Sequence, residues 1–171
     1  MSDTKEESKF RKIFKEYFPY VITIILVILI KKNVVSPIQV NGESMMDTLH
    51  DGDIMILNII KYRFSEIKRF DIVVVRQKKE YIIKRVIGLP GETVEYKDNQ
   101  LYINHKKVKD SYGRNPTEDF SVVVPEGSYF VLGDNRNNSL DSRYFGCFSE
   151  KQILGSTRLT LFPFSRMGIQ E

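Results

Sequence analysis

Cysteine is almost missing from this chain, and histidine is nearly as scarce. The lone thiol, Cys147, excludes an intramolecular disulfide. It sits in Tyr-Phe-Gly-Cys-Phe, where no histidine is near to depress its pKa and make it a nucleophile. A small buried apolar residue is the better reading. His50 and His105 are far apart, and no Cys, His and carboxylate cluster has metal-ligand spacing, so neither a metal nor another cofactor is expected. Charge of one sign is not in large excess: 26 Lys and Arg stand against 22 Asp and Glu. Without an aromatic–basic binding motif, that mild surplus gives no reason to expect a nucleic-acid partner. Internal repeats and low-complexity linkers are also lacking. What remains is 171 residues, 42% hydrophobic, enough for one packed domain and a short appendage.

The appendage is N-terminal. Residues 1–16 are polar and rich in lysine, and Tyr17 to Ile30 then run without a charge. Fourteen residues are short of the ~20 that span a bilayer, but Lys31 and Lys32 can snorkel and lengthen the span. No Ala-x-Ala site follows, which argues against a cleaved signal peptide, and the run lacks the polar face of a buried core helix. We therefore expect a cytoplasmic segment (1–16), a single transmembrane helix (17–36) and an extracytoplasmic domain (37–171). The excess of positive charge before the run places the N-terminus in the cytoplasm and the domain outside the cell.

That domain reads as mainly β, a coiled sheet or barrel-like arrangement. Short runs rich in β-branched and aromatic residues start near Asp53, Phe70, Tyr81, Thr93, Gln100, Ser121 and Ser128. Turn signals such as Leu89-Pro-Gly, Asp98-Asn and Pro125-Glu-Gly separate them. One helical turn is expected near Ser149 to Ile153, and a surface loop over 109–119.

With two unpromising histidines, the base that could activate a serine is a lysine. A free lysine is almost wholly protonated at neutral pH, so a catalytic one needs an apolar setting that disfavours its charge. Most lysines here lie in charge runs or polar loops. Lys84, within Tyr81-Ile-Ile-Lys-Arg-Val-Ile, does not. Ser44 follows a tight turn at Gly42 and precedes Met45-Met46. The stretch from Gly133 to Arg143 carries two Asp and two Arg among amides and hydroxyls, and suits a buried polar network better than a solvated turn.

Together these segments resemble the type I signal peptidases. Ser-Met-Met-Asp-Thr-Leu at 44–49 is similar to their Ser-Met-x-Pro-Thr-Leu motif, and Gly52-Asp53 to the pair that follows it. Residues 81–91 resemble their lysine motif. Residues 133–143 match Gly-Asp-Asn-Arg-x-x-Ser-x-Asp-Ser-Arg at every specified position. The resemblance implies a membrane-anchored serine endopeptidase that removes signal peptides from exported preproteins. Ser44 would be the nucleophile and Lys84 the general base. Ser139 would hydrogen-bond Lys84, Arg85 would pair with Asp134, and Asp141 with Arg143. Met45, Leu49, Ile82 and Ile83 would wall the substrate pocket. Partners would be preproteins and the lipid bilayer, the latter touched by Met45, Met46 and Leu161 to Phe164. The family also implies an alternative, a non-catalytic assembly factor whose partners are pilus subunits.

Two positions depart from the pattern. Asp47 replaces the usual proline; it would raise the pKa of Lys84 if it pointed inward and leave it alone if it faced water. Gly42 lacks the hydroxyl that some relatives offer to the oxyanion, which leaves the second donor unassigned. Ser65-Glu-Ile-Lys68 fits the Ser-x-x-Lys of β-lactamases, but the Ser-Asp-Asn and Lys-Thr-Gly partners of that motif are absent.

Overall fold

The computed structural model describes residues 3–170, the side chains of 3–10, 12 and 30–33 excepted. In chain order the elements are α1 (Asp3–Asn33), β1 (Val35–Gln39), β2 (Ile54–Asn58), α2 (Lys61–Phe64), β3 (Ile72–Gln77), β4 (Glu80–Gly88), β5 (Thr93–Lys97) and β6 (Gln100–Ile103). They continue as β7 (Lys106–Val108), β8 (Phe120–Val123), β9 (Ser128–Leu132), α3 (Ser142–Phe145), β10 (Phe148–Ser149), β11 (Ile153–Phe162) and β12 (Gly168–Ile169). Two short 3-10 turns cover Glu150–Gln152 and Phe164–Arg166. The first is the helical turn expected near Ser149; a reciprocal Ser149–Gln152 capping box closes it.

The chain divides into two compact units, Met1–Val35 and Ser36–Glu171. The first is α1, which begins in the charged segment and runs through the apolar one, with Pro19 in its interior. Its described side chains from Ile13 to Leu29 are all exposed. Among the described residues no helix is long and apolar enough to cross a membrane.

The second unit is mainly β, as expected, but it does not close into a barrel. Its larger sheet runs β1-β2-β11-β3-β4-β9-β10, with β12 added alongside β11, and the path has two ends. The smaller sheet runs β7-β6-β5-β8. Tight hairpins such as β3–β4 and β5–β6 keep strands antiparallel and in simple register. Alternating burial along β5 and β6 faces Val94, Tyr96, Leu101 and Ile103 toward Ile87, Phe130 and Leu132 of the larger sheet.

The longest strand, β11, was not foreseen. Its centre, Gly-Ser-Thr-Arg, is polar, yet Ser156, Thr157 and Thr160 are buried. A Cβ on Gly155 would stand 2.2 Å from the Asn58 carbonyl oxygen, so only glycine permits the close approach. The strand pairs β3 with its first half and β2 with its second, and register shifts ease the change of partner.

Candidate active site

Lys84 and Arg85 are neighbours on β4. The outer part of that strand, Glu80 to Lys84, pairs with β3 on one side alone, and pairing with β9 begins at Arg85. The other edge of the outer part is thus free, like the outer edge of β1. Between these edges lie two adjoining clefts of about 430 and 790 Å³ that share Gln39, Asn41, Tyr81, Ile82 and Ile83. Ser44 and Lys84 line the first.

Ser44 lies in the turn-rich connection from β1 to β2. The Gly42 N–H donates to Asp51 Oδ1 at 2.6 Å, and Gly42 itself has a φ of 86°. The Ser44 carbonyl accepts the Asn135 N–H at 3.1 Å, which ties the turn to the loop after β9. A Cβ on Gly133 would meet that carbonyl at 2.5 Å and Ser139 Oγ at 2.2 Å, so the loop can press against the turn only with glycine there. Lys84 Nζ donates to Ser44 Oγ at 2.6 Å and to the Ile83 carbonyl at 3.0 Å. Lys84 is only 3% exposed. Burial pulls its pKa down to about 8, against the opposing pull of Asp141 and Asp134. It is therefore a cation that loses its proton readily, at hydrogen-bond distance from a hydroxyl.

The two expected ion pairs are both formed. Asp134 takes Arg85 Nε at 2.9 Å and Nη2 at 2.7 Å, and Thr48 Oγ1 donates to it at 2.6 Å. Arg85 Nη1 donates to the Phe70 carbonyl at 3.0 Å. Asp141 receives Arg143 Nε and Nη2, each at 2.9 Å, and the Gly133 N–H at 3.0 Å. Both carboxylates are fully buried and well supplied with donors, as buried charge requires.

Three expectations need correction. Ser139 is buried beside Ser44 and lines the cleft, but its Oγ has no hydrogen-bond partner, and the bond to Lys84 is not made. Leu49 does not wall the cleft; it is sealed in a core with Met55 and Ile72, because the turn after Ser44 rotates it inward. Met45 joins the same core while touching the cleft, and at 1% exposure it offers nothing to lipid. Ile82 and Ile83 do line the cleft. Asp47 faces solvent, 3.8 Å from Arg114, and its backbone follows a cis Met46–Asp47 peptide. Several residues of this neighbourhood had no role assigned from the sequence: Thr48, which stands in the matched 44–49 motif, and Asp51, Asp110 and Tyr112. They lie on turns or in the 109–119 loop, where composition carries no sign of a partner. Among the described residues no group of three or more His, Cys, Asp or Glu could hold a metal.

Comparison with known proteins decides the family. The model of "Signal peptidase, peptidase S26" matches residues 13–162. The chain belongs to the signal peptidase family. Signal peptidase I of Bacillus amyloliquefaciens is 43% identical over 160 residues, 86% of each chain. Signal peptidase I S of Bacillus subtilis (strain 168) is 41% identical over 174 residues, 94% of this chain and 95% of that one. A crystal structure of a signal peptidase I from Enterococcus faecalis V583 superposes with a TM-score of 0.50 at 40% identity, covering 54% of this chain and 97% of that one. Membership makes the chain a peptidase, and the non-catalytic assembly factor is not favoured.

Proposed function

We propose that this signal peptidase removes signal peptides from exported preproteins with Ser44 as nucleophile and Lys84 as general base. The observation that supports this most is the 2.6 Å Lys84–Ser44 contact, made by a lysine whose burial leaves it partly neutral near pH 8. An extended substrate segment fits between the free edges of β1 and β4 by strand addition. Ile82 and Ile83 line the groove beside it and suit small apolar side chains.

The steps then follow from the geometry. Neutral Lys84 takes the Ser44 proton as Oγ attacks the scissile carbonyl. The Ser44 N–H, which no protein acceptor occupies among the described residues, donates to the developing oxyanion. Protonated Lys84 passes its proton to the departing amine. Lys84, neutral again, draws a proton from water as that water attacks the acyl-enzyme, and returns it to Ser44 Oγ as the acyl bond breaks, which regenerates both residues. Asp134 and Asp141, bound to Arg85 and Arg143, keep the loop in place.

The membrane is part of the same proposal. A helix that exposes an uncharged, largely apolar surface all round from Tyr17 to Leu29 finds no suitable solvent in water. This anchors the chain once, N-terminus inside. Ser44 lies twelve residues after Lys32, and a stretch of that length reaches at most about 40 Å. Phe162 and Phe164, 48% and 75% exposed, are suited to touch lipid.

The direct test is cleavage. The purified chain in detergent should cut a preprotein at its signal peptide, and Ser44→Ala should abolish the cut. Unchanged cleavage by Ser44→Ala would end the assignment.

A further inference from the structure

The smaller sheet takes no part in the cleft, yet the loop that leaves it reaches the centre of the ion network. From β7 the chain passes through Asp110, whose Oδ1 accepts the N–H groups of Tyr112 and Gly113 at 3.0 and 3.3 Å and so shapes a tight turn. Asp110 Oδ2 holds Arg136 Nη2 at 2.6 Å and also accepts the Tyr96 hydroxyl. Burial opposes a negative charge there, but Arg136 prevails and keeps the carboxyl below the usual carboxylate range. The turn is thus pinned to β5 through Tyr96 and to the loop after β9 through Arg136, itself only 2% exposed.

The pinned turn carries two groups to one target. The Arg114 N–H donates to the Asp134 carbonyl at 3.0 Å. The Arg85 guanidinium lies over the Tyr112 ring, its carbon 3.6 Å from the centroid. Behind it the Phe70 ring packs at 5.1 Å, and Phe70 adopts a φ of 69°, a costly conformation for a bulky residue, while its carbonyl accepts Arg85 Nη1. Arg85 is therefore held in its plane by Asp134, Thr48 and the Phe70 carbonyl, and on one face by Tyr112.

We propose that Tyr112 is a positioning residue for peptide-bond hydrolysis: its ring covers the Arg85 guanidinium and keeps the Arg85–Asp134 pair dry and aligned beside the dyad. This rests on the assignment of Ser44 and Lys84 above. An aromatic face suits the task because it attracts a cation without offering an acceptor that would draw Arg85 away from Asp134. Without the ring, water reaches the pair and Arg85 gains freedom to turn. Asp134 is then less fully offset, and its charge, with that of Asp141, holds the proton on Lys84 more firmly. The other charged groups nearby are Arg143 on Asp141, the Asp110–Arg136 pair that pins the turn, and the solvent-facing Glu43, Asp47 and Arg114. Replacing Tyr112 adds or removes no charge among them.

The test is a titration of Lys84 Nζ by NMR in the full chain in detergent, with preprotein cleavage measured on the same samples. Tyr112→Phe keeps the face and should match the unmodified protein in both. Tyr112→Leu keeps apolar bulk without the face; it should raise the Lys84 midpoint by half a unit or more and lower kcat roughly 3- to 30-fold, the range of a desolvated cation–π contact. Tyr112→Met is read by the same criteria should the leucine variant not fold. A Lys84 midpoint unmoved by loss of the ring overturns the proposal, as does an equal loss in the phenylalanine variant. The NMR midpoint needs no turnover, so failure of the unmodified chain to cleave would strike the peptidase assignment and leave this test standing.

Discussion

The two halves of β4 handle buried positive charge in opposite ways. Arg85, at the start of the half paired to β9, is 1% exposed and has a carboxylate across two hydrogen bonds. Lys84, one residue earlier and on the free-edged half, is 3% exposed and has only a hydroxyl and a carbonyl. Both carboxylates in reach are already committed, Asp134 to Arg85 and Asp141 to Arg143. The lesson is one of allocation. The fold gives Arg85 and Arg143 direct carboxylate partners and withholds one from Lys84, the lysine proposed as the base. Free strand edge, cleft and poorly compensated lysine then fall at the same place.

Substitutions at the two positions should separate the halves. The largest effect is on activity: Lys84→Met and Ser44→Ala should each lower cleavage by more than about a thousandfold, and the double variant should be little worse, because the pair acts as a unit. Steady-state assays on a preprotein check this. If Lys84→Met keeps a tenth of the activity, the base is another residue. Next comes stability. Arg85→Met should cost about 3–5 kcal/mol in a denaturant melt, since it strands Asp134 in the interior. Lys84→Met should do the reverse and stabilise the fold by about 3 kcal/mol at neutral pH, the worth of a pKa depressed from 10.5 to about 8. The sign follows from proton binding. The folded state gives up the Lys84 proton near pH 8, and the unfolded chain keeps it to about 10.5. Stability of the unmodified protein therefore rises with pH through that window, and the gain from Lys84→Met should fade across it. A Lys84→Met variant as destabilised as Arg85→Met would erase the contrast.

How much of this could be read without coordinates depends on what each residue touches. Ser44, Lys84 and the Gly133–Arg143 loop were legible because their chemistry is carried by residue type in contiguous segments. The strands β3, β4, β6 and β9 were legible as β-branched and aromatic runs. The strand β11 was not, because its buried face uses Ser156, Thr157 and Thr160, and the glycine that lets it approach Asn58 reads as a breaker. Leu49 and Met45 were assigned to a pocket or a lipid face because spacing after a turn does not say which side meets the core. The clamp at Tyr112 joins residues 27 apart in sequence, one in a loop and one on β4, and no local pattern encodes it. Ser139 lines the cleft with Ser44 and Lys84 without the expected bond to Lys84, because the direction of its hydroxyl is a matter of tertiary geometry.

The smallest effect belongs to Asp47, which marks the outer limit of the site's electrostatics. It is largely exposed and pairs with Arg114 at 3.8 Å, so Asp47→Ala should change stability by less than about 1 kcal/mol and leave the pH profile in place. A shifted acid limb in that variant would bring Asp47 within reach of Lys84 and weaken the contrast from the other side.

The central claim is that Lys84 acts as a base because its surroundings depress its pKa. The pH dependence of kcat/KM for the unmodified chain on a preprotein, in detergent, tests it most directly, since that ratio reports ionisations of the free enzyme. The account predicts a rise of about tenfold per pH unit that bends near pH 8 and levels above it. A rise that continues unbent to pH 10, as an ordinary lysine would give, would contradict it.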